Sequence, residues 1–176
     1  MNKHPIIPTR FRDHRKRTQT CLQALTLFAC LGISTTFSAQ LTSETLPVYC
    51  AQASHPILIT VLGVRNNRGS IKAKLYGDKP EEFLVSGKKL DAKRESAETT
   101  STQICLKAPH PGTYAVVVHH DENNNKTLDR NWVGLPIEGV GFSKNPELFF
   151  AAPAHNEVSF QILDGGVTQL DITLHY

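Results

Sequence analysis

The chain has 176 residues, of which 40% are hydrophobic, and a formal net charge of +3. Residues 1–39 hold six of the 19 Lys and Arg and one of the 16 Asp and Glu, so the remainder, with 13 basic and 15 acidic residues, has a net charge of −2. This length predicts one domain. The acidic balance does not provide the basic patch that indicates nucleic-acid binding, and we expect no nucleic-acid partner.

The first 39 residues are typical of a secretory signal peptide. Five basic residues between Arg10 and Arg17 precede an uncharged, mostly apolar run that extends from Cys21 to Ala39. A basic segment, an apolar segment and a small residue are the features of such a signal. We therefore expect residues 1–39 to be removed and the protein to be periplasmic or secreted, without stable membrane insertion. An uncleaved anchor and a lipoprotein signal with a lipidated Cys30 are the alternatives.

Two cysteines, Cys50 and Cys105, follow the leader. An even pair in a chain bound for an oxidising compartment predicts a disulfide, and two separate buried thiols are the alternative. The disulfide would close a loop of about 55 residues and stabilise the fold by roughly 4 kcal/mol. Residues 40–55 are polar and predict a linker, so the domain is expected to comprise residues 56–176.

Alternation of apolar and polar residues dominates this domain and predicts β-strands. The predicted strands are 56–64, 70–77, 102–108, 111–121, 157–163 and 167–176. Turn residues at 66–69 predict that the first two form a hairpin. The charged segment 78–103 is expected to have little regular structure beyond one short strand or helical turn around 82–85. No long amphipathic helix is predicted.

The strand over 111–121 is apolar on both faces and is therefore predicted to be central. Alternation assigns Tyr114, Val116, Val118 and His120 to one face, and Ala115, Val117 and His119 to the other. In the last two strands, the residues expected to face the core are Val158, Phe160, Ile162, Leu170, Ile172 and Leu174. Six or seven short strands with one long ordered loop predict an all-β antiparallel β-sandwich, immunoglobulin-like or transthyretin-like.

The polar segment HHDENNNKTLDRNWVGLPIEG, residues 119–139, follows the central strand. Side-chain oxygens recur at positions 1, 3, 5 and 9 of the spacing typical of calcium loops: Asp121, Asn123, Asn125 and Asp129. Lys126 occupies position 6, where glycine is usual, and Trp132 occupies position 12, where a bidentate acid is usual. Any calcium binding is therefore expected to be weak, on the order of millimolar. We expect no cofactor, and calcium is the alternative.

A second interpretation of this segment is a metal-dependent hydrolase that uses His119 or His120 with Asp121. Alternation leaves one histidine and one acid on each face, whereas a catalytic zinc site needs three protein ligands. No residue pair has a recognisable nucleophile pattern, so we expect no catalytic residue and no enzyme. The third and favoured interpretation is a loop whose Asp and Asn side chains satisfy its own backbone.

The sequence PGTYAVVVHHDENNNKTLDRNWVGLPIEGVGFSKNP resembles the hallmark of domain-of-unknown-function family 2141, a set of exported bacterial proteins. The resemblance covers roughly residues 57–176, and Asn124 and Lys126 stand where this family usually has glycine. It implies a periplasmic or secreted β-sandwich of uncertain role. The PGTY strand entry is also similar to that of transthyretin-like and carboxypeptidase-regulatory-like domains, which are mostly non-catalytic.

These observations predict a non-catalytic binding or structural module of the cell envelope, whose partner is a protein or a glycan and whose interaction surface lies on loop 119–145. Asp121, Asn123, Asn125 and Asp129 are expected to organise this loop, and Trp132, Glu138 and Phe142 to be contact or packing residues. We expect the aromatic residues of this region to pack inward over one end of the sandwich: Trp132, Phe142, Phe149 and Phe150. The alternative functions are a calcium-stabilised adhesion or carbohydrate-binding module and the hydrolase.

Overall fold

The computed structural model describes residues 48–148 and 151–176. The predicted signal peptide and residues 40–47 of the predicted linker lie outside these ranges. The elements, in chain order, are α1 (Val48–Ala51), β1 (Pro56–Leu62), β2 (Ser70–Tyr76), a 3-10 turn (Pro80–Glu82), β3 (Asp91–Ser96), β4 (Thr102–Lys107), β5 (Gly112–Asp121), β6 (Gly139–Phe142), α2 (His155–Val158), β7 (Phe160–Ile162) and β8 (Thr168–Thr173). No helix among the described residues has the length and apolar character needed to cross a membrane.

The strands form two sheets, which confirms the predicted β-sandwich. The smaller sheet has the order β4-β1-β8, and the larger has the order β3-β2-β5-β6. Strand β7 pairs with residues 112–114 of β5, and β6 pairs with residues 117–120 of the same strand. All pairs are antiparallel except β1 with β8, which is parallel. The described chain has eight strands, not the six or seven that we predicted.

The predicted hairpin between the first two strands is wrong, because β1 and β2 belong to different sheets. Residues 63–69 cross from one sheet to the other. The apolar side chains of both strands pack into one core, with Ile57 and Ile59 on one side and Ile71 and Leu75 on the other. Alternation specifies which face of a strand is buried. A hairpin and a crossover between sheets bury the same faces of the two strands. The pattern therefore does not distinguish a hairpin from a crossover.

The core between the sheets contains the apolar residues of one face of each long strand. Ile172 and Leu174 are buried there and Leu170 packs against its edge, as predicted. Full burial of one such side chain contributes about 1.5–3 kcal/mol. Val158 is an exception to the prediction, because it lies in α2 and packs on the opposite face of the larger sheet.

Strand β5 is central and buried on both faces, which confirms its predicted position and face assignment. Tyr114, Val116 and Val118 face the core between the sheets. Ala115 and Val117 face a second apolar cluster on the outer side of the larger sheet. In this outer cluster the rings of Tyr76 and Phe83 meet edge to face, with centroids 5.5 Å apart.

Strand β3 lies in the charged segment where only one short strand or turn was expected. The 3-10 turn at Pro80–Glu82 adjoins the turn predicted at 82–85, but the strand itself begins only at Asp91. Its sequence, DAKRES, gives a half-buried to exposed strand at the edge of the larger sheet. Charged residues are common on edge strands because they discourage pairing with another chain. Such strands lack the apolar alternation on which the prediction relied.

The disulfide between Cys50 and Cys105 is present, as predicted. It joins α1 to β4, and its two cysteines are buried with Leu58 against Val167. The chain immediately before β1 is thereby fastened to the smaller sheet.

Candidate functional site

The candidate site is built where β5 ends and the chain turns to form β6. The connection, which we call the polar loop, comprises residues 122–138, and the predicted loop 119–145 therefore includes the end of β5 and all of β6. Because β5 and β6 are antiparallel neighbours, with His119 opposite Val140, the two ends of the polar loop lie side by side. Side chains from both ends can therefore meet at its base.

The carboxylate of Glu138 is the centre of the hydrogen bonds at this base. Its Oε2 accepts hydrogen bonds from Nε2 of His119 at 2.9 Å and from the backbone N–H of Asp129 at 3.1 Å. Its Oε1 accepts one from the backbone N–H of Glu122 at 2.9 Å. Glu138 is only 4% exposed, so these bonds provide hydrogen-bond partners for a buried carboxylate. They also connect it to the end of β5 and to two positions in the polar loop.

His120 lies on the inner face of β5 and is fully buried. Its Nε2 donates to the carbonyl of Arg68 at 2.8 Å, and its Nδ1 accepts from the hydroxyl of Tyr176 at 2.8 Å. Both ring nitrogens are therefore occupied by the crossover and by the chain end. His120 acts as a packing residue that ties the two sheets together.

Asp121 is fully buried beside strand β3. Its Oδ2 accepts hydrogen bonds from the guanidinium of Arg94 at 2.8 Å and from the backbone N–H of Lys126 at 2.9 Å. Burial by itself raises the pKa of this carboxyl, but the bonds from Arg94 and Lys126 outweigh it and lower the pKa. Its Oδ1 is buried without a hydrogen-bond partner among the described residues.

Asn123 and Asn125 hold Asp129 across the polar loop. Their side-chain amides donate to its two carboxylate oxygens at 2.7 and 2.9 Å. Their side-chain oxygens accept the backbone N–H groups of Asn125 and Thr127 at 2.9 and 2.8 Å. These are Asx turns of the kind that the favoured interpretation predicted.

The backbone of the loop explains the glycine positions noted in the sequence. Asn124 has φ 58° and Lys126 has φ 70°, which lie in the left-handed region that glycine adopts most easily. Asn tolerates this region better than most residues, and Lys does so less well. The turn is therefore maintained here without glycine, at a cost on the order of 1 kcal/mol for Lys126.

The four predicted calcium ligands are only partly brought together. Asn123, Asn125 and Asp129 contact one another, whereas Asp121 contacts Arg94 and the backbone of Lys126. Within residues 48–148 and 151–176, no three His, Cys, Asp or Glu side chains are grouped so that they could hold a metal. The residues of the hydrolase interpretation, His119, His120 and Asp121, turn to three different partners.

The exposed part of the loop, residues 130–137, is a tight turn that we call the loop tip. Asn131 shapes it, because its side-chain oxygen accepts the backbone N–H groups of Val133 and Leu135 at 3.1 and 3.0 Å. Trp132 is 95% exposed at its end, and Val133 and Ile137 are also exposed. The expectation that the aromatic residues pack inward is therefore wrong for Trp132.

The other aromatic and contact predictions have different outcomes. Phe142 is buried, and it lies in the apolar cluster on the outer face of the larger sheet. Glu138 is buried at the base of the loop. Phe149 and Phe150 lie outside the described residues. Of the three residues predicted to make contacts or to pack, only Trp132 is available at the surface.

A second set of charged contacts, which the sequence did not reveal, fixes the start of the loop. The carboxylate of Glu122 accepts hydrogen bonds from Arg65 Nε at 2.6 Å, Asn66 Nδ2 at 2.9 Å and Arg68 Nη2 at 3.0 Å. The guanidinium of Arg65 also lies 4.3 Å from the ring centroid of Tyr176. The turn residues 66–69 suggested a hairpin, but the side chains of Arg65, Asn66 and Arg68 instead attach the crossover to the polar loop.

A family model described as an uncharacterized protein conserved in bacteria (DUF2141) matches residues 59–171. This match confirms the resemblance found in the sequence. No curated protein and no solved structure matches the chain.

Proposed function

We propose that this chain, which belongs to the bacterial family DUF2141, is a non-catalytic, exported binding protein of the cell envelope whose interaction surface lies on loop 119–145. The observation that carries the proposal is the loop tip, where Trp132 is 95% exposed on a turn whose base is closely hydrogen-bonded. The partner is a protein or a glycan. Both classes are commonly bound through exposed tryptophan.

The rigidity of the loop supports a binding role. A tryptophan that projects from a preorganised turn loses little conformational entropy when it is covered. Tryptophan is also among the residues that contribute most to interfaces. Val133 and Ile137 extend the same apolar surface, so a partner would cover a small hydrophobic patch with a polar margin.

The hydrogen bonds of the candidate catalytic residues support a non-catalytic role. His119 is bonded to Glu138, His120 to Arg68 and Tyr176, and Asp121 to Arg94. His120 and Asp121 are also fully buried, whereas a general base needs access to substrate. Export is supported by the signal-like leader and by the disulfide, which is typical of oxidising compartments.

Site-specific photo-crosslinking in living cells tests the binding surface. A photoreactive residue at position 132 should give a discrete adduct, and the same residue at position 163 should not. Leu163 is a suitable control because it is also exposed, at 75%, but lies in the turn between β7 and β8. Equal adduct patterns from both positions, or none from position 132, would contradict the proposal.

Cell fractionation with mass analysis tests export separately. The proposal expects protein that lacks the leader, recovered from the periplasm or the medium, with a mass two daltons below that of the reduced form. Recovery of the unprocessed chain from the cytoplasm would contradict export, whatever the crosslinking shows.

A calcium-stabilised adhesion or carbohydrate-binding module is the second candidate. The specific observation in its favour is Asp121, whose buried Oδ1 has no hydrogen-bond partner among the described residues, while Oδ2 accepts the backbone N–H of Lys126. One carboxylate oxygen is thus available beneath a loop that carries three further oxygen-bearing side chains, Asn123, Asn125 and Asp129. The adjacent Arg94 already compensates the charge of Asp121, so binding would be weak.

Thermal unfolding tests this candidate. If the dissociation constant is about 1 mM, 10 mM calcium stabilises the fold by roughly 1.4 kcal/mol, which raises the melting temperature by a few degrees. Magnesium at the same concentration is the control, and Asp129→Asn should reduce the calcium shift. No difference between 10 mM calcium and chelator would exclude the candidate.

A further inference from the structure

A cavity of about 340 Å³ lies on the outer face of the larger sheet, beneath the polar loop. Its floor is apolar and is provided by three adjacent strands, with Tyr76 from β2, Val117 from β5, and Val140 and Phe142 from β6. Its volume is at the lower end of the range for small-molecule sites. The cavity therefore suits a single small ligand with an apolar body.

The polar loop provides one wall of this cavity and contributes both apolar and basic residues. Leu128 and Leu135 are half-buried wall residues. The loop is held over the sheet from below, because His119, which also lines the cavity, is bonded to Glu138. Leu135 therefore belongs both to the loop tip and to the cavity wall, whereas the exposed side chains of Trp132 and Val133 do not line the cavity.

Among the described residues, the charged side chains that line the cavity are all basic, and the imidazole of His119 lines it as well. Lys74 extends from β2, and Lys126 and Arg130 extend from the polar loop. In the part of the chain that the structure describes, no Asp or Glu lines the cavity, and none of these three cations takes part in an ion pair. Three cations beside an apolar floor complement one anionic group.

Lys72 adds to this positive field, whereas the charge of the neighbouring Arg94 is compensated by Asp121. Lys72 lies opposite both Arg94 and His119 in the sheet. Burial and then the charges of Lys72, Lys89 and Arg94 lower the pKa of Lys74. Cations that repel one another in this way are stabilised when an anion is placed among them.

We propose that this outer cavity binds a small amphipathic anion of the medium-chain carboxylate type. The aliphatic chain lies on the floor formed by Tyr76, Val117 and Phe142, and the carboxylate contacts the cations at the margin. The cavity is too small for a two-chain lipid. This site goes beyond the proposed function because it assigns a small-molecule ligand to the sheet side of loop 119–145, where Trp132 does not reach.

Decanoate is the probe, and decanol and decyltrimethylammonium are its neutral and cationic counterparts with the same chain. We expect decanoate to cause saturable shifts in the NMR amide signals of Val117 and Val140. Decanol should bind at least tenfold more weakly, because it lacks the charge-assisted contacts. The cation should not bind. Equal affinities for the three probes, or shifts distributed over both sheets, would overturn the proposal.

Two variants examine the two halves of the ligand. Lys74→Gln should weaken decanoate binding about tenfold and leave decanol binding unchanged. Leu135→Glu should weaken both, since it places a charge in the apolar wall. Lys107→Gln removes one exposed cation from β4 in the other sheet, and should leave both affinities unchanged. If Lys74→Gln behaves as Lys107→Gln does, the assignment of the anionic head is wrong.

Separate variants distinguish ligand binding in the cavity from partner binding at the loop tip. With the photoreactive residue moved to the exposed position 133, Trp132→Ala should abolish the crosslinked partner and leave decanoate binding intact. Lys74→Gln should have the opposite pattern. Loss of both activities in both variants would show that the tip and the cavity form one site, which contradicts the inference.

Discussion

The side chains of His119 and Glu138, which are 19 residues apart in the sequence, meet at 2.9 Å in the interior of the protein. The pair joins the end of β5 to the residue before β6, and Glu138 also accepts the backbone N–H groups of Glu122 and Asp129. A single buried carboxylate therefore closes the polar loop. The position of the tip depends on this closure.

Substitution Glu138→Ala should destabilise the protein by about 2–4 kcal/mol, because it leaves buried donors without acceptors. Urea unfolding at pH 7 measures this loss. Glu147→Ala, at an exposed position, is the matched control and should remain within about 0.5 kcal/mol of the wild type. Hydrogen exchange should become faster at the amides of Glu122 and Asp129. A loss no larger than that of the control would show that the buried carboxylate does not hold the loop.

Reduction of the disulfide between Cys50 and Cys105, which spans 55 residues, should lower stability by about 4 kcal/mol in the chain-entropy model. The measurement is urea unfolding with and without a reducing agent. In the double variant Cys50→Ala and Cys105→Ala, the reducing agent should have no effect. A reductant effect that persists in this variant would assign the loss to another group.

Acid should destabilise the fold through Asp121. Its pKa is lowered in the folded state because the hydrogen bonds from Arg94 and Lys126 outweigh the effect of burial. A lowered folded pKa contributes stability that is present above the unfolded value, about 3.9, and is lost as the pH falls through the folded value. The unfolding free energy should therefore decrease as the pH is lowered below about 4.

The variant Asp121→Asn isolates this contribution. At pH 7 it should lose about 1.5–3 kcal/mol, the value of a hydrogen bond to a charged group, and its stability should depend less on pH in the acid range. Asp164→Asn is the control, since that side chain is 89% exposed. Parallel pH profiles for wild type and Asp121→Asn would contradict the assignment.

The outline of the fold was predictable because alternation reports which face of a strand is buried. It gave the central position of β5, and it separated Val116 from Val117 onto the two faces correctly. Alternation does not report which strand is the neighbour, and for that reason β1 and β2 were wrongly paired. Strand β3 was missed because an edge strand needs little apolar character.

The candidate site was less predictable, since its key contacts join distant parts of the chain. The Asx turns of Asn123 and Asn125 are local and were expected from residue type. The pairing of Asp121 with Arg94, 27 residues away, depends on β3 lying beside β2, which was not predicted. The outer cavity likewise needs residues of β2, β5, β6 and the loop at once. A pattern within one segment does not contain that information.

Two glycines with similar positive φ angles separate backbone strain from steric collision. Gly69 has φ +70° and Gly87 has φ +82°, so alanine at either position costs about 1 kcal/mol of backbone strain. At Gly69 the new Cβ would also lie 1.9 Å from the carbonyl oxygen of Asp121, whereas at Gly87 it would meet nothing within 4 Å. The collision involves backbone, which cannot move aside without displacing the end of β5.

We therefore expect Gly69→Ala to lose more than about 3 kcal/mol and Gly87→Ala to lose about 1 kcal/mol, both measured by urea unfolding. The larger loss should be accompanied by changed NMR signals of Glu122 and the polar loop, because Gly69 lies directly under that backbone. Similar losses in the two variants would mean that the crossover residues 63–69 are not held against the end of β5. The attachment of the crossover to the loop through Glu122 would then also be in error.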